Sequence, residues 1–253
     1  MGERLMKKYE ILSVILIIIG EMFLFFGHRI PSIAIHSFNI VLIIGLTILK
    51  GENRLIQPLL LVSLLRIVNI SLPVFFSLTI YWFASLYGIM FIPIALTIRE
   101  QNLRLRDLGM TFSKIYLLPL AIILGIGLGI IEYIILRPPA LIPNLTPGEI
   151  FKLGIVMFFF IGAVEEIIFR SMLQQRLEEK IGLFKGLIVT SIIFGAMHSG
   201  YSNYYEFLFA CFAGLTIGFG FQRTRSLPFA VIAHGVNNII LFGILPFIIF
   251  PGP

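Results

Sequence analysis

Residues 151–177, FKLGIVMFFFIGAVEEIIFRSMLQQRL, are the stretch of sequence that decides the fold. The run is long enough to cross a membrane, since a spanning helix needs roughly 17–25 predominantly apolar residues. It nevertheless contains two adjacent carboxylates, Glu165 and Glu166, and a guanidinium group at Arg170. Charged side chains inside a membrane are costly, and they usually mark a functional site. The stretch therefore predicts a membrane helix that carries a polar site.

The composition of the whole chain indicates that lipid covers most of its surface. Of the 253 residues, 58% are hydrophobic and 13% are charged. Soluble domains average about 45–50% apolar and about 25% charged residues. A soluble fold with this composition would expose large apolar patches. The composition excludes a soluble enzyme, a disordered chain and a DNA-binding domain, and we expect no nucleic-acid partner.

Nine apolar segments predict the membrane helices. They cover residues 11–26, 30–49, 55–70, 72–98, 115–136, 151–177, 184–198, 205–221 and 227–250. The third and fourth segments nearly fuse, and we separate them because Pro73 disfavours helix at the residue before it. The fold class that follows is all-α, a polytopic transmembrane helix bundle. It has nine spans, or eight if the third segment lies on the membrane surface.

The basic residues predict the orientation of the bundle. With a cytoplasmic N-terminus and nine crossings, 14 of the 19 Lys and Arg residues fall in cytoplasmic segments. These are Arg4, Lys7, Lys8, Lys50, Arg54, Arg99, Arg104, Arg106, Lys114, Arg176, Lys180, Lys185, Arg223 and Arg225. Only Arg29, Arg137 and Lys152 fall outside. Because short cytoplasmic loops carry an excess of Lys and Arg, we expect an integral cell-membrane protein with its N-terminus in the cytoplasm.

The chemistry-bearing residues divide the chain into two parts. We expect residues 1–114 to form supporting spans and a cytoplasmic loop, and residues 115–253 to form the catalytic core. Glu21, Arg66 and Glu132 lie near the outer ends of their spans, where their side chains can reach toward water, and we expect structural or interfacial roles for them.

A Gly-x-Gly-x-Gly pattern in the fifth segment predicts close helix packing. The glycines are Gly125, Gly127 and Gly129. Small residues let the backbones of membrane helices approach each other closely. We expect all three to serve packing rather than to form a ligand loop.

The sixth segment places its three charged groups on two helix faces. Glu166 and Arg170 are four residues apart, so they share a face and can form an ion pair. Glu165 points about 100° away from Glu166. We therefore expect Glu165 to face another helix or a cavity.

Polar residues on two later segments lie at a similar depth. His198 ends the seventh segment, and His234 and Asn238 share one face of the ninth. At ~1.5 Å per residue, these groups and Glu165 lie roughly 10–20 Å from the inner ends of their helices. We expect one shared polar layer in the middle or cytoplasmic half of the bilayer, around a cavity open to the cytoplasm.

This set of residue types suits peptide hydrolysis. The reaction needs a nucleophilic water, a base, and hydrogen-bond donors for the developing oxyanion. A carboxylate and two imidazoles can activate water, and the amide of Asn238 can donate a hydrogen bond. The same atoms allow a different chemistry, because Glu165, His198 and His234 could hold zinc with an open fourth position. We favour the metal-free reaction, which requires no cofactor, because Asn238 suits an oxyanion donor better than a zinc ligand.

Three motifs carry a family resemblance. They are Glu165-Glu166-x-x-x-Arg170, Phe194-x-x-x-His198 and His234-x-x-x-Asn238, in this order on successive predicted helices. Together they resemble the family of type II CAAX prenyl endopeptidases and bacteriocin-processing or self-immunity proteins, also called the abortive-infection family. The resemblance extends over residues 150–245.

The resemblance implies roles for the motif residues. Glu165 and His198 would activate the attacking water. The third motif would form the oxyanion pocket, and Glu166 with Arg170 would brace Glu165.

The function that the resemblance implies is that of an intramembrane endopeptidase. Its substrate would be a membrane-associated protein or peptide, either lipidated or unmodified. The lipid bilayer would surround the enzyme. The alternative is a non-catalytic membrane scaffold or bacteriocin self-immunity protein that keeps the polar core for packing. A small-solute transporter is less favoured, because the sequence has no internal repeat of the kind that many transporters show.

Overall fold

The protein is a bundle of helices in a computed structural model that describes residues 6–51, 54–71 and 80–249. Each of the nine predicted segments coincides with a helix in these ranges. The helices are α1 (Lys8–Phe25), α2 (Arg29–Lys50), α3 (Ile56–Ser71), α4 (Ile80–Glu100), α5 (Leu118–Leu136), α6 (147–181), α7 (Leu183–Ala196), α8 (Tyr204–Thr224) and α9 (Leu227–Ile249). The predicted all-α class is confirmed. The break expected at Pro73 lies outside the described residues.

Six of these helices are long and apolar enough to cross a membrane. They are α2, α4, α5, α7 with its following turn, α8 and α9, and α3 is a shorter apolar helix. The bundle turns large apolar side chains outward: Phe26, Ile30, Val41 and Leu49 are each more than two-thirds exposed. An apolar outer surface requires lipid rather than water around it. The chain is therefore an integral membrane protein, and the helices agree roughly with the predicted eight or nine spans.

Helix α6 is not a regular α-helix. Two π-helical stretches, Val156–Gly162 and Ile167–Gln174, flank the α-helical turn Ala163–Glu166. A π-helical turn inserts an extra residue and re-aims the side chains beside it, and such turns are frequent at functional sites. Both carboxylates of the first motif therefore sit on a short turn between two irregular stretches.

Helix α5 packs against α9 through two glycines. A Cβ atom at Gly125 or Gly129 would lie 2.5–2.7 Å from carbonyl oxygens of α9, which is too close for any side chain. Around Gly127, by contrast, a Cβ atom would meet nothing within 4 Å. The predicted packing role is confirmed for Gly125 and Gly129 and wrong for Gly127, which faces away from α9. This close approach lets Glu132 of α5 contact Asn237 of α9.

Side-chain caps fix the starts of the last two helices. Asn203 Oδ1 accepts a hydrogen bond from the backbone N–H of Tyr205 at 2.9 Å and begins α8. Ser226 Oγ accepts from the backbone N–H of Phe229 at 3.3 Å and begins α9. Such caps satisfy backbone donors that the helix itself leaves without partners. They define where the two helices that border the polar site begin.

A buried cluster of polar side chains, called here the Glu21 cluster, joins the N-terminal helices to the α7–α8 turn. Arg66 Nε donates to Glu21 Oε1 at 2.7 Å, and His36 Nε2 lies 3.3 Å from the same oxygen. Ser199 Oγ donates to Glu21 Oε2 at 2.5 Å, and Arg66 also donates to the carbonyl oxygen of Met197. Glu21 and Arg66 do not reach toward water: both side chains find buried partners inside the bundle, which agrees with the structural role expected for them.

Candidate functional site

One cavity of about 560 Å³ brings the three motifs together. Glu165 lines it from α6, His198 from the α7–α8 turn, and His234 and Asn238 from α9. Residues that are far apart in sequence and carried by separate helices thus share a single pocket. Its walls also include apolar and aromatic side chains from the N-terminal half and from α9, among them Leu24, Leu65, Trp82, Phe83 and Phe242.

Glu165 is the motif carboxylate that faces the cavity. Its side chain is 12% exposed, and its Oε2 lies 4.0 Å from Nε2 of His234. The hydroxyl of Tyr87 on α4 donates a hydrogen bond to Oε1 at 2.5 Å. Sequence reasoning missed Tyr87, because a tyrosine within an apolar run carries no spacing signal. The hydrogen bond fixes one oxygen of Glu165 and leaves the other directed toward His234.

Glu166 and Arg170 form the predicted ion pair, but they orient His234 rather than Glu165. Arg170 Nε donates to Glu166 Oε2 at 2.8 Å, and both side chains are fully buried. The other oxygen of Glu166 lies 2.8 Å from Nδ1 of His234. A carboxylate only accepts hydrogen bonds, so Nδ1 of the imidazole carries the proton. The expectation that the pair braces Glu165 is wrong: it fixes the tautomer and ring orientation of His234.

His198 is oriented by the residue that opens its own motif. Its Nδ1 donates to the carbonyl oxygen of Phe194 at 3.1 Å, which leaves Nε2 without a proton in the neutral ring. The Phe194 ring lies near both imidazoles, with centroid separations of 5.1 Å to His198 and 5.9 Å to His234. The guanidinium of Arg170 lies 5.0 Å from the centre of the Phe194 ring. Phe194 thus connects the three motifs physically.

Asn238 contributes an amide on the His234 side of the cavity. Its Oδ1 accepts a hydrogen bond from Nδ2 of Asn237 at 3.3 Å. The oxygen of this amide is occupied by Asn237, and the Nδ2 group is the hydrogen-bond donor that Asn238 can offer. A π-helical stretch, Ile240–Ile244, follows directly after this turn of α9.

Two further carboxylates lie beside His198. Glu132 of α5 and Glu206 of α8, with His198, offer one ligand atom each, and these atoms lie within 4.8 Å of one another. Glu132 is buried and accepts from Nδ2 of Asn237 at 2.5 Å, so it does not reach toward water. Glu206 was not predicted from the sequence. Its signal is an ionisable residue in an apolar segment, eight residues after His198.

The predicted zinc ligands and this group share one residue. Among the residues described, the three side chains that come close enough to hold a metal ion include His198 but neither Glu165 nor His234. Zinc held by Glu165, His198 and His234 stays a prediction.

The cavity opens at the face of the bundle opposite the basic loops. Its rim includes the exposed residues Arg29, at the start of α2, and Arg137, directly after α5. The α4–α5 loop and the α8–α9 turn, which with the helix ends beside them carry six of the 14 predicted cytoplasmic basic residues, lie at the other ends of their helices. The expectation of a cavity open to the N-terminal, basic face is therefore wrong.

Comparison with protein families gives one match. Residues 147–240 match the family described as type II CAAX prenyl endopeptidase, Rce1-like. The matched segment runs from the start of α6 into α9 and contains all three motifs. No curated protein and no solved structure gives a significant match to the chain. The resemblance predicted from the motifs is confirmed: this segment, somewhat more than a third of the chain, is similar to the Rce1-like family of type II CAAX prenyl endopeptidases.

Proposed function

We propose that the protein is an intramembrane endopeptidase that hydrolyses a peptide bond in a membrane-associated or lipidated substrate. One observation carries the proposal: Glu165, His198, His234 and Asn238 line a common cavity inside a membrane bundle. The match to a family of proteases supports it independently. A non-catalytic scaffold is not favoured, because polar groups kept for packing have no need to face a cavity.

In the proposed reaction Glu165 and His198 activate a water molecule. Glu165 has one oxygen held by Tyr87 and another directed into the site. Nε2 of His198, the nitrogen that Phe194 does not engage, can accept a proton from that water. Attack on the scissile carbonyl converts its oxygen to an oxyanion, and the base later returns the proton to the leaving amine.

The oxyanion is stabilised by the α9 motif. Asn238 donates through Nδ2, and His234 acts as a donor when its Nε2 is protonated. The buried Glu166–Arg170 pair keeps His234 in place, because Glu166 Oε1 lies 2.8 Å from Nδ1 of the imidazole. This assignment requires no metal ion on Glu165 and His234, and zinc on the predicted set is the alternative.

The side from which substrate enters follows from the cavity and the charge pattern together. If the basic loops are cytoplasmic, as the excess of Lys and Arg favours, then the rim with Arg29 and Arg137 faces the outside of the cell. We propose that substrate enters from the extracytoplasmic side, with its apolar or lipidated part along the aromatic wall of the cavity.

Cleavage of a defined substrate panel tests the activity. The purified protein is incubated with lipopeptides and short membrane peptides, and products are identified by mass spectrometry. We expect Glu165→Gln and His198→Ala each to lower the cleavage rate by about 10²–10⁴-fold. Glu179→Gln, on the exposed end of α6, is the matched control and should cleave normally. Unchanged cleavage in both site variants would sink the proposal.

Cysteine labelling tests the side of entry. In a Cys211→Ser background, Gly200→Cys places a thiol in the cavity wall, where a Cβ atom meets only Arg66 at 3.9 Å. We expect a membrane-impermeant maleimide to label it in intact cells. Ser113→Cys, in the exposed α4–α5 loop, should react only after permeabilisation. The reverse pattern would show that the cavity opens to the cytoplasm.

A further inference from the structure

We propose that Glu132, His198 and Glu206 form a binding site for a divalent metal ion of the zinc or manganese class. The three ligands come from α5, from the α7–α8 turn and from α8, and their ligand atoms lie within 4.8 Å of one another. The site goes beyond the proposed peptidase reaction, because neither acidic residue belongs to the three motifs. The site shares His198 with that reaction: a metal ion on Nε2 would occupy the lone pair that the metal-free reaction uses as its base, so loading with metal should inhibit cleavage.

The charge balance of the group calls for a cation. Glu132 is 6% exposed and Glu206 is fully buried, so two carboxylates face each other away from water. Asn237 donates to Glu132, but within the described part of the chain neither oxygen of Glu206 has a hydrogen-bond donor. A buried carboxylate without a partner is strongly unfavourable. A divalent cation would neutralise both carboxylates and give Glu206 a partner, and protons shared within the pair are the competing arrangement.

The neighbouring hydrogen bonds prepare the ligands for a metal. Nδ1 of His198 donates to the carbonyl oxygen of Phe194, so the lone pair of Nε2 is available. Nδ2 of Asn237 donates to Glu132 Oε2 at 2.5 Å and orients that carboxylate. Metal ligands in proteins are usually held in this way by outer hydrogen bonds, which set the tautomer of a histidine and the direction of a carboxylate.

The donor set indicates the class of metal. Two carboxylate oxygens and one imidazole nitrogen suit zinc or manganese better than a soft ion, because the site offers no sulfur ligand. Ligands on one such ion lie at about 2.0–2.2 Å from it, so binding draws the three side chains slightly together. Glu132 and His198 also line the cavity, which places an open coordination position toward it.

Metal content gives the direct test. The detergent-purified protein is stripped with a chelator, reloaded separately with zinc and with manganese, dialysed, and measured by elemental mass spectrometry. We expect ~1 ion per chain in the unmodified protein, with a rise in melting temperature on loading. Glu132→Gln and Glu206→Gln should lose both effects. Glu178→Gln, a buried carboxylate at the far end of α6, is the matched control and should keep them.

The outer hydrogen bond gives a graded test. Asn237→Ala should weaken metal affinity by about 10–100-fold without abolishing it. If the unmodified protein holds neither metal after reloading, or no more of it than Glu206→Gln does, the inference is overturned and the two carboxylates share a proton instead.

Separate experiments can contradict the metal site and the peptidase activity. Glu165→Gln should keep the metal and lose cleavage. Cleavage by a protein that binds neither zinc nor manganese would leave only the peptidase proposal standing, and metal binding without cleavage would leave only the metal site.

Discussion

Two buried polar clusters in this bundle contain similar residues but differ in how fully their carboxylates are hydrogen-bonded. In the Glu21 cluster, the carboxylate is surrounded by Arg66, His36 and Ser199. In the cavity, Glu165 has one donor, Tyr87, and an oxygen directed at the pocket. Glu206, which lies beside His198, has no hydrogen-bond donor among the described side chains. We call the Glu21 cluster closed, because its carboxylate is surrounded by partners, and the cavity cluster open, because some of its carboxylate oxygens have none.

The difference shows how to separate stabilising charges from functional ones in a membrane helix bundle. Both clusters would be flagged by the rule that intramembrane ionisable residues are functional candidates. In the closed cluster, hydrogen-bond partners offset the free-energy cost of burying the charges, so the role of this cluster is to join helices. The open one leaves groups unsatisfied inside a cavity, where a substrate, water or ion can complete them.

The clusters also touch each other. Met197 and Ser199, which contact the closed cluster, stand on either side of His198. Arg66 itself lies in the cavity wall. We therefore expect the N-terminal helices to position His198 from behind, so that the closed cluster affects catalysis only indirectly. Three substitutions test this comparison.

Arg66→Leu should have the largest effect on stability. It leaves Glu21 charged and buried without its main partner, which costs about 3–5 kcal/mol when a buried ion pair is broken on one side. The measurement is reversible unfolding in detergent micelles. Lys152→Ala, which breaks the solvent-exposed pair with Glu149, should change the stability far less, because water screens that pair.

A double substitution separates a broken pair from general damage. Glu21→Leu with Arg66→Leu removes both charges and should recover most of the lost stability, because replacing both partners is often nearly neutral. A double variant as unstable as Arg66→Leu alone would contradict the closed character of the cluster.

Tyr87→Phe should act on the open cluster, with an intermediate effect. It removes the hydrogen bond to Glu165 and leaves the ring in place. Hydrogen bonds to charged groups contribute about 1.5–3 kcal/mol, so we expect kcat to fall by about 10–100-fold. Tyr116→Phe, on the exposed turn before α5, is the control. If Tyr87→Phe lowers the folding stability by a similar free energy and leaves kcat unchanged, Tyr87 has a structural role instead.

Much of the fold was predictable, because apolar run length and loop charge reflect the lipid environment directly. The predicted segments 115–136 and 184–198 agree with the observed helices within three residues at each end. The Glu166–Arg170 pair followed from a spacing of four residues on one helix. Local spacing therefore predicted local contacts well.

Contacts between helices were not predictable in the same way. No spacing rule connects Tyr87 to Glu165, Glu21 to Arg66, or Glu132 to Glu206, because each pair depends on how separate helices pack. The target of the Glu166–Arg170 pair was misjudged for the same reason. The side on which the cavity opens depends on how far each helix stands from its neighbours, and sequence depth alone carries no such information.

Ser199→Ala, paired with Ser63→Ala, should show the smallest effect and isolates the link between the clusters. Ser199 donates to Glu21 and adjoins His198, whereas Ser63 accepts from Asn39 and lies 3.3 Å from Nδ1 of His36, away from that turn. Both substitutions remove buried hydrogen bonding at the Glu21 cluster, so Ser199→Ala should cost about 1 kcal/mol of folding stability and Ser63→Ala at least as much. Only Ser199→Ala should also lower kcat, by a few-fold, because only that hydroxyl holds the turn carrying His198. Equal kcat values in the two variants would mean that the closed cluster stabilises the bundle without positioning the histidine.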